Sequence, residues 1–395
     1  MRILIANDQH WPMKSGVATA ARTQAQGLAD FGHTVMVLAP SQQNGKGGVE
    51  TDENYTITRV RSMPLAFRKN LRVALTYDRE IRKVLEEFKP DIVHVHTQLT
   101  VGISTLRAAN QLGIPVVATN HVMPDNMIKN IKALAPVKRP AKYLINEYVI
   151  MAYKGAKRLI VPTQSVIQLF NTSRLDIPVL AISNGINLSF YSQRSASPEI
   201  YGRYDIPTDK KIICWLGRLD NEKHLDVLVK SFAKLAKKHD DVHLLLVGSG
   251  NAESDLIDLV NKLELGDQVT FTGLVSEEDK YELHHVTDIF VVPSPNELQC
   301  LAMLESMACG KPVVAVDAGA LPELVHHDKN GYIVSVDDVN GFVRAMSMIL
   351  DKPERMREFG DASREISTHH EISLIIPKFV ALYEQVIAET HESLK

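Results

Sequence analysis

The sequence predicts an α/β protein with two doubly wound, Rossmann-like domains whose parallel sheets face a central cleft. Strand-like and helix-like runs alternate along the 395 residues, which indicates βαβ units with crossover helices. The alternation stops once near residue 185 and then restarts, so the chain contains two such series. Polar or glycine-containing turns follow many of the apolar strand runs, at the edge where parallel sheets bind ligands.

In the first series, short apolar runs predict strands and the longer amphipathic runs between them predict helices. The predicted strands are 3–6, 34–38, 56–60, 92–95, 116–118 and 159–161, and the predicted helices are 18–30, 77–88, 101–112 and 141–153. The second series predicts strands over 211–216, 243–247, 269–271, 289–292 and 313–316, and helices over 225–238, 253–262 and 277–285.

The seam between the two series lies at Asn184-Gly185, a turn signal that a polar stretch over 192–209 follows. We therefore expect an N-terminal domain over 1–185 and a C-terminal domain over 186–370. The tail over 371–395 has helical periodicity and contains Pro377, which kinks or starts a helix. We expect this closing helix to cross back onto the first domain.

The composition favours a reduced, cytoplasmic protein. The three cysteines, Cys214, Cys300 and Cys309, have neither the number of a disulfide framework nor the spacing of a metal site, so no metal is predicted. The first apolar run, 3–6, is too short for a signal peptide and is typical of a buried strand. No run approaches the roughly 18 apolar residues that a membrane span needs.

Charge is distributed unevenly along the chain. Residues 1–180 carry a net charge of +10 and the remainder carries −13, within a total of −3. Basic and apolar residues mix in the acid-free stretch 127–142, which predicts peripheral binding to an anionic membrane surface. A solvated basic face beside an anionic substrate is the alternative, and nucleic-acid binding is not predicted because no recognised motif is present. The bases of this stretch are Lys129, Lys132, Lys138, Arg139 and Lys142.

The segment Glu297–Glu305 is the most informative in the chain. Its two carboxylates lie eight positions apart, one on the loop after a predicted strand and one about a turn into the next predicted helix. Free amides at the start of that helix favour an anion. Carboxylates beside an anion site suit a ligand with both hydroxyls and phosphates, such as a nucleotide sugar. The alternative is that Glu297 is a solvated loop residue and that Glu305 only interacts favourably with the dipole of its helix.

Two bases follow another predicted strand. Gly217 and Arg218 come directly after it, and Lys223 stands five residues later at a helix start. A guanidinium fork and a mobile ammonium together fit a diphosphate, although a surface ion pair is the alternative. Gly248 and the pair Leu274-Val275 lie at further strand ends of this series and are weaker signals.

In the first series, Gly16 opens a helix after the first strand, where backbone amides could approach a phosphate. His94 and His96 alternate along one strand, and His121 follows the next. His121 is the candidate for a substrate contact, with a buried structural histidine as the alternative.

These residues together resemble glycosyltransferase family 4, the retaining enzymes of the GT-B fold. The resemblance covers nearly the whole chain and depends most on Gly217-Arg218-Leu-Asp-x-x-Lys223 and on the Glu297/Glu305 pair. It implies that Arg218 and Lys223 bind the donor diphosphate. It also implies that Glu297 holds the donor sugar and Glu305 the ribose.

The resemblance assigns the other candidates as well. Gly16 would approach the phosphates from the first domain, His121 would border the transferred sugar, and His96 would lie on the acceptor side. We expect catalytic roles for Arg218, Lys223, His121 and Glu297. The expected donor site comprises Gly16, Gly217, Arg218, Lys223, Gly248, Leu274, Val275, Glu297, Leu298, Gln299, Cys300, Leu301 and Glu305.

Within the family, the loop at Glu297-x-Gln299 and the segment at His121-x-Met123 are most similar to bacterial diacylglycerol glucosyltransferases. We therefore expect transfer of a hexose, glucose from UDP-glucose, to a lipid such as diacylglycerol at the cytoplasmic membrane face, without a cofactor. A phosphatidylinositol-type mannosyltransferase and a transferase to a soluble or polyprenyl-linked acceptor are alternatives. A catalytically silent nucleotide-sugar-binding protein is another, because Leu298 and Cys300 stand where the family commonly has glycine.

Overall fold

The fold is seen in a computed structural model, which describes residues 1–42, 45–65, 68–75, 78–121, 147–148, 150–169, 175–192 and 195–393. The described residues form two compact units, one built from residues up to 185 and from 370 onwards, and the other from residues 186–369. The five bases of the stretch 127–142 lie outside the described residues, as does most of the predicted helix 141–153.

Among the described residues, the first unit contains ten strands, four helices with described bounds before the final helix of the chain, and further helical residues at 147–148 and 150–153. The strands are β1 (Arg2–Ala6), β2 (Thr34–Pro40), β3 (Gly48–Asp52), β4 (Tyr55–Val60), β5 (Ser62–Leu65), β6 (Arg68–Ala74), β7 (Ile92–Val95), β8 (Val116–Thr119), β9 (Arg158–Val161) and β10 (Val179–Ala181). The helices are α1 (Gly16–Asp30), α2 (Asp78–Phe88), α3 (Thr100–Gln111) and α4 (Gln164–Leu169).

Eight of these strands form one sheet in the order β10-β9-β8-β7-β1-β2-β4-β3, and β5 and β6 form a separate hairpin. All neighbours in the sheet are parallel except β3, which is antiparallel to β4. β1 lies between β2 and β7, so the loops after β1 and β7 leave from the point where the strand order reverses. Asp8, just after β1, accepts hydrogen bonds from Val101 N at 2.8 Å and Gly102 N at 3.2 Å. This buried carboxylate thereby caps α3.

In the part of the second unit that the structure describes, six strands are all parallel, and helices follow them in βαβ order. The strands are β11 (Lys211–Leu216), β12 (Val242–Val247), β13 (Val269–Gly273), β14 (Ile289–Val292), β15 (Val313–Val316) and β16 (Gly331–Val334). The helices are α5 (Leu188–Ser192), α6 (Pro198–Arg203), α7 (Leu225–Leu235), α8 (Glu253–Lys262), α9 (Glu277–Val286), α10 (Leu301–Ala308), α11 (Leu321–Leu324), α12 (Val339–Leu350) and α13 (Pro353–Thr368). Two 3₁₀ turns lie at Asn221–Lys223 and Gly266–Gln268.

The strand order in this unit is β13-β12-β11-β14-β15-β16, the doubly wound arrangement. Strands β14 and β15 are buried along their whole length, because helices cover both faces of a parallel sheet. The prediction of two doubly wound parallel sheets is therefore confirmed.

The last helix of the chain, α14 (Ile372–Ser393), belongs to the first unit. Phe379, Tyr383 and Val386 are buried in the same apolar cluster as Leu28 of α1. The helix continues through Pro377. Among the described residues, no helix combines the length and apolar character that crossing a bilayer requires.

Candidate functional site

The predicted donor residues of the second unit gather at one edge of its sheet. The strand order runs from β11 to β12 and β13 on one side and from β14 to β15 and β16 on the other, so the order reverses between β11 and β14, which is the switch point of the sheet. The carboxyl ends of such strands form the ligand crevice of a doubly wound sheet. Gly217 and Arg218 follow β11 directly, and Glu297 lies on the loop after β14.

Close backbone packing holds the loop after β11 against the loop after β12. A Cβ atom on Gly248 would lie 2.0 Å from the carbonyl oxygen of Gly217, and Gly248 itself has a φ of +125°. Leu219 N donates to Ser249 O at 3.0 Å, and Asn251 N donates to the Asp220 carboxylate at 3.0 Å. Glycine at 248 is therefore needed for the approach of the two loops, which keeps Arg218 at the edge of the sheet.

Two carboxylates orient Arg218. Its guanidinium forms an ion pair with Asp220 and contacts Glu222 Oε1 at 2.6 Å. Both acids are buried, whereas the arginine side chain is 44% exposed. A guanidinium has five N–H donors, so these contacts fix its plane and leave donors for a ligand.

Lys223 connects the loops after β11 and β14. Its Nζ lies 2.7 Å from Glu297 Oε1, and both side chains are 12% exposed. The loop that carries Glu297 is itself held in place, because Ala320 N donates to Glu297 O at 3.0 Å. A Cβ atom on Gly319 would lie only 2.6 Å from that same oxygen. Lys223 and Glu297 thus form one pair at the switch point.

The chain from Glu297 leads into α10 through a mostly buried loop. Leu298, Gln299 and Cys300 are each less than a tenth exposed, and Leu301 is the first residue of the helix. The first backbone amides of a helix have no partner within the helix, so the first turn of α10 favours an anion. Burial raises the pKa of the Cys300 thiol, which therefore remains protonated.

Glu305, on α10, takes part in a buried ionic cluster. Its Oε1 lies 2.9 Å from Lys280 Nζ and its Oε2 lies 3.2 Å from His284 Nε2. Burial alone would raise the pKa of the Glu305 carboxyl, but Lys280 and His284 together lower it well below the ordinary value, so it is ionised. Lys280 also contacts Glu277 at 3.0 Å. The Tyr191 hydroxyl also hydrogen-bonds the Glu305 carboxylate, and a remaining lone pair on its oxygens can accept from a ligand hydroxyl.

The two residues after β13 differ in exposure. Val275 is buried, whereas Leu274 is 61% exposed at the same edge of the sheet. Gly248 N donates to Gly273 O at 3.0 Å, which joins this loop to the one after β12. Leu274 is therefore an accessible apolar side chain beside the loops of the candidate donor site.

Gly16, His96 and His121 belong to the first unit. Gly16 begins α1, where Ser15 Oγ caps the helix by accepting from Ala18 N at 3.1 Å. A Cβ atom on Gly16 would have no neighbour within 4 Å, so the backbone here is open to a ligand. His96 is buried, and its Nδ1 lies 3.0 Å from His121 Nε2. His121 is partly exposed, and His96 thus lies on its buried side, away from solvent.

Four residues that contact the site were not predicted from the sequence. Asp220 and Glu222 follow Arg218 closely, and their spacing was a usable signal. Lys280 and His284 are four residues apart and so share a face of α9, but nothing in the sequence places that face against Glu305.

Two family models together match most of the chain. The model described as "Glycosyltransferase Family 4" matches residues 14–190, and the model described as "Glycosyl transferases group 1" matches residues 197–366.

Curated relatives and solved structures agree with these matches. The chain is 28% identical to an alpha-monoglucosyldiacylglycerol synthase of Streptococcus pneumoniae over 80% of this chain and 71% of the relative. It is 26% identical to the Acholeplasma laidlawii protein of that name, over 93% and 92%. A D-inositol 3-phosphate glycosyltransferase of Mycolicibacterium smegmatis is 30% identical over 73% and 67%.

The fold also matches a solved sucrose-phosphate synthase from Thermosynechococcus elongatus, with a TM-score of 0.80 and 22% identity over 98% of this chain and 99% of that one. The matched models, the relatives and the GT-B fold lead to one conclusion. The chain belongs to glycosyltransferase family 4 and is a glycosyltransferase.

Proposed function

We propose that the enzyme transfers glucose from UDP-glucose to the hydroxyl of a lipid such as 1,2-diacylglycerol, with retention of configuration. The observation that carries the donor half of this proposal is the meeting of Arg218 and the Lys223–Glu297 pair at the carboxyl ends of β11 and β14. The site thus offers two cations to a diphosphate and, beside them, one carboxylate to the hydroxyls of a sugar.

The chemistry follows from where charge develops. As the bond between the sugar and the diphosphate breaks, negative charge grows on the leaving diphosphate, and fixed cations stabilise it most at that point. In the proposed reaction the acceptor hydroxyl attacks from the face that the diphosphate leaves, and the diphosphate takes its proton. No protein nucleophile is needed, which differs from retaining glycosidases with paired carboxylates.

The two glutamates divide the donor between them in this proposal. Glu297 holds the sugar hydroxyls while Lys223, 2.7 Å away, holds the adjacent phosphate. Glu305, ionised through Lys280 and His284, accepts from the ribose hydroxyls. The first-turn amides of α10 lie between the two carboxylates in sequence and favour the phosphates.

The names of relatives support the lipid acceptor. Two of them are alpha-monoglucosyldiacylglycerol synthases, and the basic stretch 127–142 suits a membrane surface. Other relatives are named for inositol phosphate, for GDP-mannose and for sulfoquinovose transfer, so these substrates are the competing candidates.

Initial rates with a matrix of donors and acceptors test this function. UDP-glucose, GDP-mannose and UDP-N-acetylglucosamine are each offered with diacylglycerol, phosphatidylinositol or inositol 3-phosphate. We expect the highest kcat/KM for UDP-glucose with diacylglycerol. A higher value for GDP-mannose with an inositol acceptor would replace the proposal, and turnover of no donor would favour a silent binding protein.

Transfer is expected to need no divalent metal, because Arg218 and Lys223 neutralise the diphosphate. The measurement compares the initial rate in excess chelator with the rate in millimolar magnesium. We expect the two rates to agree within about a factor of two, since the cationic side chains supply the electrostatic stabilisation. A complete loss of activity in chelator that magnesium restores would contradict the assignment.

The enzyme is expected to bind anionic membranes at the cytoplasmic face. Each base near such a surface contributes about 1 kcal/mol, and the attraction acts over about 8 Å at physiological ionic strength. Co-sedimentation with vesicles should therefore require anionic lipid and weaken with salt.

The reversal Lys138→Glu with Arg139→Glu should release the protein. Reversal of exposed Lys237 and Lys238 in the second unit, the matched control, should not. Equal binding to neutral and anionic vesicles would remove the membrane proposal.

A further inference from the structure

Four buried polar side chains of the first unit lie behind His121. They are Gln24 on α1, His94 and His96 at the end of β7, and Tyr383 on α14, and none is more than 2% exposed. Buried polar groups destabilise a fold unless they are hydrogen-bonded, so their partners are informative. Here the partners are one another, together with Thr119 and His121.

The hydrogen bonds form one chain from α14 to His121. The Gln24 side-chain amide donates through Nε2 to the Tyr383 hydroxyl at 3.1 Å, and its Oε1 lies 2.6 Å from His96 Nε2. His96 Nδ1 then lies 3.0 Å from His121 Nε2. The Tyr383 hydroxyl also lies 2.6 Å from His94 Nδ1, and the other nitrogen of His94 lies 2.7 Å from Thr119 Oγ1.

The position of each proton follows from this chain. Burial lowers the pKa of His121 to about 4 and the pKa of His96 well below its ordinary value. Each ring is therefore neutral and carries one N–H. Gln24 Oε1 can only accept, so the proton of His96 is on Nε2. His96 Nδ1 must therefore accept from His121 Nε2–H. His121 is left with a lone pair on Nδ1.

We infer that Gln24 and Tyr383 are positioning residues that hold His121 in the tautomer with its proton on Nε2 and its lone pair on Nδ1. In that tautomer His121 accepts a hydrogen bond from a hydroxyl of the transferred sugar. This use of the lone pair rests on the proposed function and on the place beside the transferred sugar that the family resemblance implies for His121.

Tyr383 holds the amide of Gln24 in the orientation seen in the structure. Its hydroxyl accepts from Gln24 Nε2, so its own proton is available to His94 Nδ1, 2.6 Å away, and the carbonyl end of Gln24 faces His96. If the amide turned by half a rotation, its NH₂ would face His96 and every proton along the path to His121 would reverse. The last helix thus sets the state of a histidine that is more than 250 positions earlier in the chain.

Nitrogen-15 spectra of the histidine rings in the full-length protein test the tautomer directly. We expect His121 to show a protonated, pyrrole-type Nε2 and a pyridine-type Nδ1 in wild type. In Gln24→Leu, which removes the oxygen that accepts from His96, we expect signals of mixed tautomers. A protonated Nδ1 on His121 in wild type would overturn the inference.

Kinetic measurements distinguish a positioning role of Gln24 from a purely structural one. In Gln24→Leu we expect kcat/KM for the nucleotide sugar to fall roughly tenfold, the size of one lost hydrogen bond, while the affinity for bare UDP changes by less than about twofold. Gln24→Glu should retain most of the activity. Burial favours the neutral carboxyl, whose carbonyl oxygen accepts from His96 Nε2 and whose O–H donates to the Tyr383 hydroxyl, as the amide does. Equal losses in the two variants would contradict positioning.

Tyr383→Phe should lower kcat/KM by a few-fold to roughly tenfold, because the amide of Gln24 loses its anchor. Tyr55→Phe is the matched control, since Tyr55 is also buried and its hydroxyl donates to Asp52 at 2.7 Å, apart from this chain of bonds. A larger loss of kcat/KM in Tyr383→Phe than in Tyr55→Phe supports the inference, and equal losses contradict it. If the tautomer is as inferred but wild type transfers no sugar, the proposed function fails and the tautomer assignment stands.

Discussion

Replacing Arg218 with alanine should reduce kcat by roughly 10² or more while the protein stays folded. Removal of a single electrostatic donor that stabilises developing charge has an effect of this size. Arg218 is suited to that role because Asp220 and Glu222 hold its guanidinium while the side chain is 44% exposed. The measurement is the initial rate at saturating donor and acceptor, with thermal unfolding to show that the fold persists.

Arg344 provides the control for this substitution. It also lies in the second unit and contacts a carboxylate, Asp338 at 3.3 Å, but its side chain is 67% exposed, and it lies on α12, away from β11 and β14 in the chain. Arg344→Ala should leave kcat close to wild type, because exposed ion pairs contribute little. Near-wild-type kinetics in folded Arg218→Ala would remove Arg218 from the proposed mechanism.

Glu305→Gln should both destabilise the second unit and weaken nucleotide binding. The substitution leaves the Lys280 ammonium without the buried carboxylate that lies 2.9 Å from it, and losing one partner of a buried pair costs about 3 kcal/mol. Its affinity for bare UDP should fall as well, because the proposed ribose contact loses its charge. Chemical denaturation measures the first effect, and calorimetric titration of the folded variant with UDP measures the second.

Two variants make this result specific. Glu277→Gln removes the other carboxylate at Lys280, but that side chain is 38% exposed, so stability should change by less than about 1 kcal/mol. Glu297→Gln should spare UDP binding and impair transfer, since Glu297 is assigned to the sugar. If Glu305→Gln and Glu297→Gln bind UDP equally well, the division of roles between the two glutamates is wrong.

The sheets could be predicted because their strands are continuous apolar runs between polar turns. The run before Gly217 illustrates this, since β11 was predicted with its observed bounds, Lys211–Leu216. β3 was missed because its residues are nearly all exposed and carry no apolar alternation, and pairing with β4 forms it. β16 and the hairpin of β5 and β6 were missed as well. The predicted helix 225–238 ends earlier, at Leu235.

The candidate site was predictable where its residues directly follow predicted strands of the parallel sheet. Gly217 and Arg218 follow one strand, and Glu297 follows another, so the doubly wound topology alone places them at one edge. Contacts between distant segments depend on packing that no local pattern encodes. The approach of Lys280 to Glu305 and the chain of bonds from Tyr383 to His121 are of this kind.

The central claim is retaining transfer of glucose to a lipid hydroxyl, and the anomeric configuration of the product tests it most directly. Wild-type enzyme is incubated with UDP-glucose and diacylglycerol in anionic vesicles, and the glycolipid formed is examined by proton NMR. The glucosyl group of UDP-glucose is α-linked, so retention predicts an α-glucosyl diacylglycerol. A β-linked product, or release of free glucose with no glycolipid, would contradict the account.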